Sequence, residues 1–326
     1  MRANNWKILK DKAIKTAKVL VAGGLLFLLT RFVPIGEVRQ TLLRSSLPLL
    51  IIAVGLVFAG ILFSSLKLYR LAGLFSPDLK LLRVLRAYYI GIFFNNFLPT
   101  GIGGDLIKIN ELRNEDLPLS KSSASVVVER GMGLIGMLLY AAVFAAFWPP
   151  ILESLKLAFL RIPLLVFLFL LILLAISLNY RQQNSLESRT TEEENIILEK
   201  VYDWMNSFLV FRDNKKVLLE ALVVSLLFHS IYATILVILT FTVGSKVSFQ
   251  FALGCIPFIA ILDVIPISIG GLGVREGAIT YALTQAGISP ADSLSVALLF
   301  RSIYYFHSAI GGVIYGLPAN FCIGAQ

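Results

Sequence analysis

The stretch NNFLPTGIGGDLIK, residues 95–108, sets two asparagines, a proline, three glycines, an aspartate and a lysine inside a very hydrophobic chain. Pro99 removes a backbone donor, and the glycines favour a turn over continued helix. A second stretch, IPISIGGLGVRE at residues 265–276, repeats the spacing: Pro99-x-x-x-Gly103-Gly104 against Pro266-x-x-x-Gly270-Gly271. Arg130 follows Pro99 by 31 residues and Arg301 follows Pro266 by 35. Glycines come soon after each arginine: Gly131, Gly133 and Gly136 in one case, Gly311 and Gly312 in the other. Paired breaks at matching positions in the two halves of an apolar chain point to discontinuous helices at a transport site. The competing reading, glycines that let membrane helices pack closely, suits a single glycine better than a paired motif.

The setting is a membrane. Of 326 residues 57% are hydrophobic and 15% charged, against about 25% charged in soluble domains, and the mean hydropathy is +0.81. Apolar runs at 19–30, 47–66, 134–148, 162–178, 217–243 and 293–317 approach or exceed the roughly 20 helical residues that cross about 30 Å of hydrocarbon. The expected class is therefore all-α and polytopic. Arg2, Lys7, Lys10, Lys12, Lys15 and Lys18 oppose only Asp11 in the first 18 residues, and no small-residue cleavage site follows. That pattern predicts a retained first helix with a cytoplasmic N-terminus in the cell membrane. The net charge of +9 belongs to loops beside the spans rather than to nucleic-acid binding. Cys255 and Cys322 lack ligand spacing, and no cofactor or metal is expected.

Loop charge orients the spans. Lys67, Arg70, Lys80, Arg83 and Arg86 against Asp78 mark a cytoplasmic segment, whereas Arg39 and Arg44 against Glu37 read as external. Residues 180–216, with six basic and seven acidic residues, are placed in the cytoplasm by parity. There Ile197, Val201, Trp204, Met205 and Phe208 share one face, as in an interfacial amphipathic helix. A docking site for a soluble partner is the alternative.

The resulting plan is a single domain over 1–326, with repeat one at 17–147 and repeat two at 162–318. Helices are expected near 17–35, 47–66, 121–147, 162–179, 217–243 and 292–318, with broken segments at 85–113 and 249–288. If each broken segment dips in and returns, each half crosses three times, and the odd number inverts the second half. Two inverted repeats of three helices plus one re-entrant hairpin follow. Kinked segments that cross the bilayer are the alternative.

Freed backbone groups at such hairpins must face protein or a wet cavity. A half-helix starting near Gly103 and Gly104, with Asp105 as its N-cap, would aim its positive end at mid-membrane. Asn95 and Asn96 would add hydrogen bonds there. The second hairpin offers Gly270 and Gly271, with Arg275 and Glu276 in the first turn of its half-helix. Glu129, Arg130, Asp263 and Arg301 lie inside apolar segments, where each costs about 2.5–3.5 kcal/mol at mid-bilayer. They must face inward. Either they form buried pairs, such as Glu129 or Asp263 with an arginine, or Arg130 and Arg301 grip an anionic headgroup. Arg301, with no acid adjacent in sequence, is the stronger headgroup candidate. His229 and His307 read as hydrogen-bonded core histidines.

FFNNFLPTGIGGDLIK, VVVERGMGLIGM and IPISIGGLGVREGAI together resemble the lysylphosphatidylglycerol synthase transmembrane region family of flippase-like proteins, over residues 10–318. The family includes the membrane half of the bacterial multiple peptide resistance factor, credited with flipping aminoacylated phosphatidylglycerol. The residues end at Gln326 without a soluble synthase domain, so synthase activity is not carried over. The resemblance implies translocation of an anionic or aminoacylated phospholipid or a lipid-linked headgroup. Its partners would be membrane lipids with phosphate headgroups, with self-association or a soluble lipid-modifying enzyme besides. The protein is expected not to be an enzyme. Two alternatives remain: a lipid or glycosyl transferase with Asp105, Glu129 or Asp263 as base, and a non-transporting subunit that docks an enzyme through 185–213.

Overall fold

The computed structural model describes residues 35–96, 103–113, 117–147, 203–204, 206–264 and 268–317. The helices expected near 17–35 and 162–179 lie almost wholly outside that set, as do Ile197, Val201 and Met205. The described residues form helices and no strand: α1 (Ile35–Arg44), α2 (Leu47–Ala72), α3 (Leu81–Asn95), α4 (Gly103–Leu112), α5 (Leu119–Phe147), α6 (Lys215–Thr242), α7 (Phe249–Val264), α8 (Val274–Gln285) and α9 (Pro290–Gly316). A 3-10 turn, Ile269–Gly271, precedes α8. The short helix α1 was not expected.

Among the described residues four helices are long and apolar enough to cross a membrane: Leu47–Ala72, the Leu119–Ala141 part of α5, Lys215–Thr242 and Pro290–Gly316. The remaining helices among the described residues are too short. At about 1.5 Å per residue, α3 with 15 residues and α4 with 10 reach roughly 22 and 15 Å. α7 has 16 residues and α8 has 12, with the same result. Both Pro/Gly segments are therefore broken, as their sequence required.

Each short pair packs on itself. In the first, Arg83 Nη2 donates to the Arg113 carbonyl at 3.1 Å, while Gly104 N donates to Asn95 Oδ1 at 2.7 Å. The start of α3 thus meets the end of α4, which makes an antiparallel hairpin. A Cβ on Gly91 would come within 2.9 Å of the Gly104 carbonyl oxygen. Only glycine permits that approach.

α2 and α6 run antiparallel along their whole length. Ser46 N donates to the Thr242 carbonyl at 3.3 Å at one end, and Arg70 pairs with Glu220 at 2.7 Å at the other. Around them the halves pack alike. α3 packs on α2 and α9, and α7 packs on α6 and α5. α5 packs on α4, and α9 packs on α8. The main core joins both halves through Leu68, Val84, Leu236, Leu239, Ile279 and Leu283. Beside it, Phe208 and Phe211 pack on Leu71, Ala124 and Ala221, and Trp204 donates to Ser123 Oγ at 3.1 Å. These described parts of the 180–216 loop therefore rest on the bundle.

Candidate functional site

The first half builds a network of five charges, four of them buried. Arg130 on α5 donates to Asp105 on α4 through two N–H groups, Nε to Oδ2 and Nη2 to Oδ1, both at 2.8 Å. This fork matches a carboxylate edge. Lys108, one turn beyond Asp105, donates to the same carboxylate at 2.8 Å and lies 3.5 Å from Glu129 Oε2. Its ammonium sits 4.3 Å above the Tyr88 ring. The other Glu129 oxygen takes Lys67 Nζ at 2.8 Å, and Lys67 also donates to Ser225 Oγ on α6 at 3.2 Å.

Local structure explains the division of partners. Adjacent helical residues point about 100° apart, so Glu129 and Arg130 leave α5 in different directions and meet different neighbours. Asp105 lies in the first turn of α4, where the positive helix end favours a carboxylate. Three cations face two carboxylates, an excess of one positive charge. Lys67, Lys108, Glu129 and Asp105 have side chains 5%, 5%, 6% and 11% exposed, whereas Arg130 is 52% exposed. Of the five, only Arg130 is open.

The second half has a matching pair in a closed form. Arg301 Nε pairs with Glu276 Oε1, Nη1 donates to the Gly270 carbonyl at 2.8 Å, and Nη2 to the Gly271 carbonyl at 2.9 Å. The turn exists because Gly270, Gly271 and Gly273 adopt φ of 60°, 71° and 81°, a region that residues with a Cβ rarely enter. Glu276 Oε2 accepts from Gly273 N at 2.7 Å, closing the first turn of α8. The side chains of Arg301 and Glu276 are 5% and 2% exposed. Arg301 is thus a clamp on its own hairpin, and its lack of a neighbouring acid in sequence was misleading.

The end of α3 meets the turn before α8. A Cβ on Gly270 would come within 3.3 Å of the Asn96 carbonyl oxygen and 3.6 Å of that of Asn95. Asn95 caps α4 through Gly104 N, a role expected of Asp105, whose carboxylate is instead taken by Arg130 and Lys108. Asn96 donates to Ser308 on α9. Gly103 and Gly104 are buried at the start of α4, and Arg275 sits 5.1 Å from the Tyr304 ring centre. Asp263 ends up in α7, with its side chain outside the described set. Of the expected carboxylate–arginine pairings, that of Asp263 lies outside the described residues, and Glu129 takes two lysines rather than an arginine.

Lys67 and Lys108 were missed. Lys67 reads as a loop charge because the apolar run stops at Leu66, yet α2 continues to Ala72. The apolar Leu68, Leu71 and Ala72 were the available signal. Lys108 stands three residues after Asp105, a helical spacing that pairs them. Both histidines are core residues. His307 donates from Nε2 to the Val54 carbonyl at 3.1 Å and takes the Tyr89 hydroxyl at Nδ1, 3.2 Å away. His229 Nε2 donates to the Gly133 carbonyl at 3.0 Å.

No curated protein matches the chain. Residues 16–311 match the family model described as the lysylphosphatidylglycerol synthase TM region, so the chain is a membrane protein belonging to that family.

Proposed function

We propose that the protein is a lipid translocase that moves the headgroup of an anionic or aminoacylated phospholipid, or of a lipid-linked precursor, between leaflets without covalent change. The single observation that carries this reading is the approach of Asn95 and Asn96 to Gly270 beside a half-exposed, net-positive cluster. Arg130 offers a guanidinium whose fork suits phosphate as well as carboxylate. Asp105 holds that fork until a phosphate competes for it.

The antiparallel α2–α6 pair and the matching contacts around it support two inverted repeats, residues 17–147 and 162–318. In this arrangement the hairpins are re-entrant from opposite faces, the N-terminus is cytoplasmic, and the chain is a multi-pass protein of the cell membrane. Acyl tails stay in lipid while the headgroup passes the tips. The open Arg130 and closed Arg301 correspond to one end of an alternating cycle.

Proteoliposomes with fluorescent phosphatidylglycerol in one leaflet test the reading. Faster loss of leaflet asymmetry than in protein-free vesicles, slowed about tenfold or more by Arg130→Ala, is expected. Rates equal to those of empty vesicles would refute it, and a new covalent lipid product would favour a transferase.

A further inference from the structure

Arg86 was counted as a loop charge, yet it lies in α3 with its side chain 10% exposed. Among the described residues its Nε and Nη1 are buried and have no hydrogen-bond partner. Nη2 donates to the Leu317 carbonyl, just past α9, at 3.3 Å. Glu111 Oε2 is 3.8 Å from Nε, near enough to offset charge and too far to take the proton. One turn earlier, Arg83 donates through Nε and Nη2 to the carbonyls of Glu111 and Arg113 at the end of α4. Among the described residues, Glu111 is the carboxylate that faces Arg86.

A buried guanidinium with idle donors is costly, and native interiors almost always satisfy such groups. Water alone would answer the geometry but leave the positive charge offset only by Glu111 at 3.8 Å. An oxyanion answers both.

We propose that Arg86 holds a phosphate oxyanion at the base of the first hairpin, between α3, the end of α4 and the end of α9. The phosphate belongs to a lipid headgroup, an assignment of source that rests on the translocase reading. In that orientation the hairpin base faces the cytoplasm. Arg86 lies roughly 8 Å along α3 from Leu81, from the helical rise, at headgroup depth rather than mid-membrane. The site is distinct from Arg130 and would receive the headgroup before it reaches the tips.

Native mass spectrometry of the full chain in a phosphate-free detergent tests this. The probes are phosphatidylglycerol, diacylglycerol and inorganic phosphate. Wild type should retain phosphatidylglycerol about tenfold more tightly than Arg86→Met, the factor expected for one charge-assisted bond. Arg86→Lys, which keeps charge without the fork, should fall between them. Diacylglycerol should not distinguish the three. Displacement of the lipid by inorganic phosphate would show that the oxyanion is what Arg86 reads.

Equal phosphatidylglycerol retention by wild type and folded Arg86→Met or Arg86→Lys overturns the proposal. Phosphate binding without lipid retention overturns the lipid source. Retention is read without transport, so a failure of flipping in proteoliposomes and a failure here are separate results. Arg130→Ala should keep the Arg86-dependent lipid.

Discussion

Arg130 reaches its carboxylate partner Asp105 across 25 residues of sequence, and Arg301 reaches Glu276 across the same 25. Each arginine stands eleven residues after the first residue of its helix, Leu119 in one case and Pro290 in the other. The equivalence is positional, because the side chains meet different surroundings. Arg130 is half exposed, while Arg301 is sealed against Gly270, Gly271 and Glu276.

The two arginines should therefore fail differently. Arg301→Ala leaves Glu276 charged and unpaired in a dry place, a loss of about 3–5 kcal/mol, and should lower the thermal midpoint in detergent. Arg130→Ala should melt near wild type yet slow lipid transfer in proteoliposomes by about tenfold or more, the worth of a charge-assisted bond. A wild-type melt for Arg301→Ala would show that the clamp is dispensable.

Glu129 is the hinge of the cation network. Glu129→Gln strips the charge that Lys67 and Lys108 share, at about 3–5 kcal/mol. Lys67→Met should cost less in that background than in wild type, with a coupling of about 1–3 kcal/mol. Reversible unfolding of the four proteins checks it. Additive costs would mean that Lys67 and Glu129 do not interact in the membrane.

Gly311 lets α9 close on α3, since a Cβ there would run into the Tyr89 carbonyl. Gly311→Ala should force the helices apart and cost about 1–3 kcal/mol. Gly131→Ala meets nothing within 4 Å and should be near neutral or slightly stabilising through helix propensity. The paired melts separate close packing from a general intolerance of alanine.

The antiparallel packing of α2 and α6 sets residues 46 and 243 at one end of the pair and Arg70 and Glu220 at the other, and the proposed orientation makes the first end external. With Cys255 and Cys322 replaced by alanine, single cysteines at Ser46 and Val243 should both label from outside intact cells. Cysteines at Arg70 and Glu220 should label only after the membrane is opened. Losing the exposed Arg70–Glu220 pair costs little. Labelling of residues 46 and 243 from opposite faces would remove the inverted arrangement.

Much of the fold was legible in local chain properties. Mean hydropathy and run length announced membrane helices, because burial in hydrocarbon demands apolar stretches of a set length. Pro99 with Gly103 and Gly104, and Pro266 with Gly270 and Gly271, announced the breaks, because backbone donors and allowed φ values depend on residue type alone. The hidden helix α1 shows the limit: a 10-residue amphipathic segment between spans looks like loop.

The partners of the charges were another matter. Sequence showed that Glu129, Arg130 and Arg301 must be paired or solvated inward, since lipid would not take them. It did not show which acid each arginine meets, that Lys67 on α2 reaches Ser225 across 158 residues, or that Arg86 is buried with idle donors. Those outcomes depend on how helices distant in sequence cross, and an ion pair is decided within a few ångströms. Composition constrained the environment of each charge, and tertiary packing chose its neighbour.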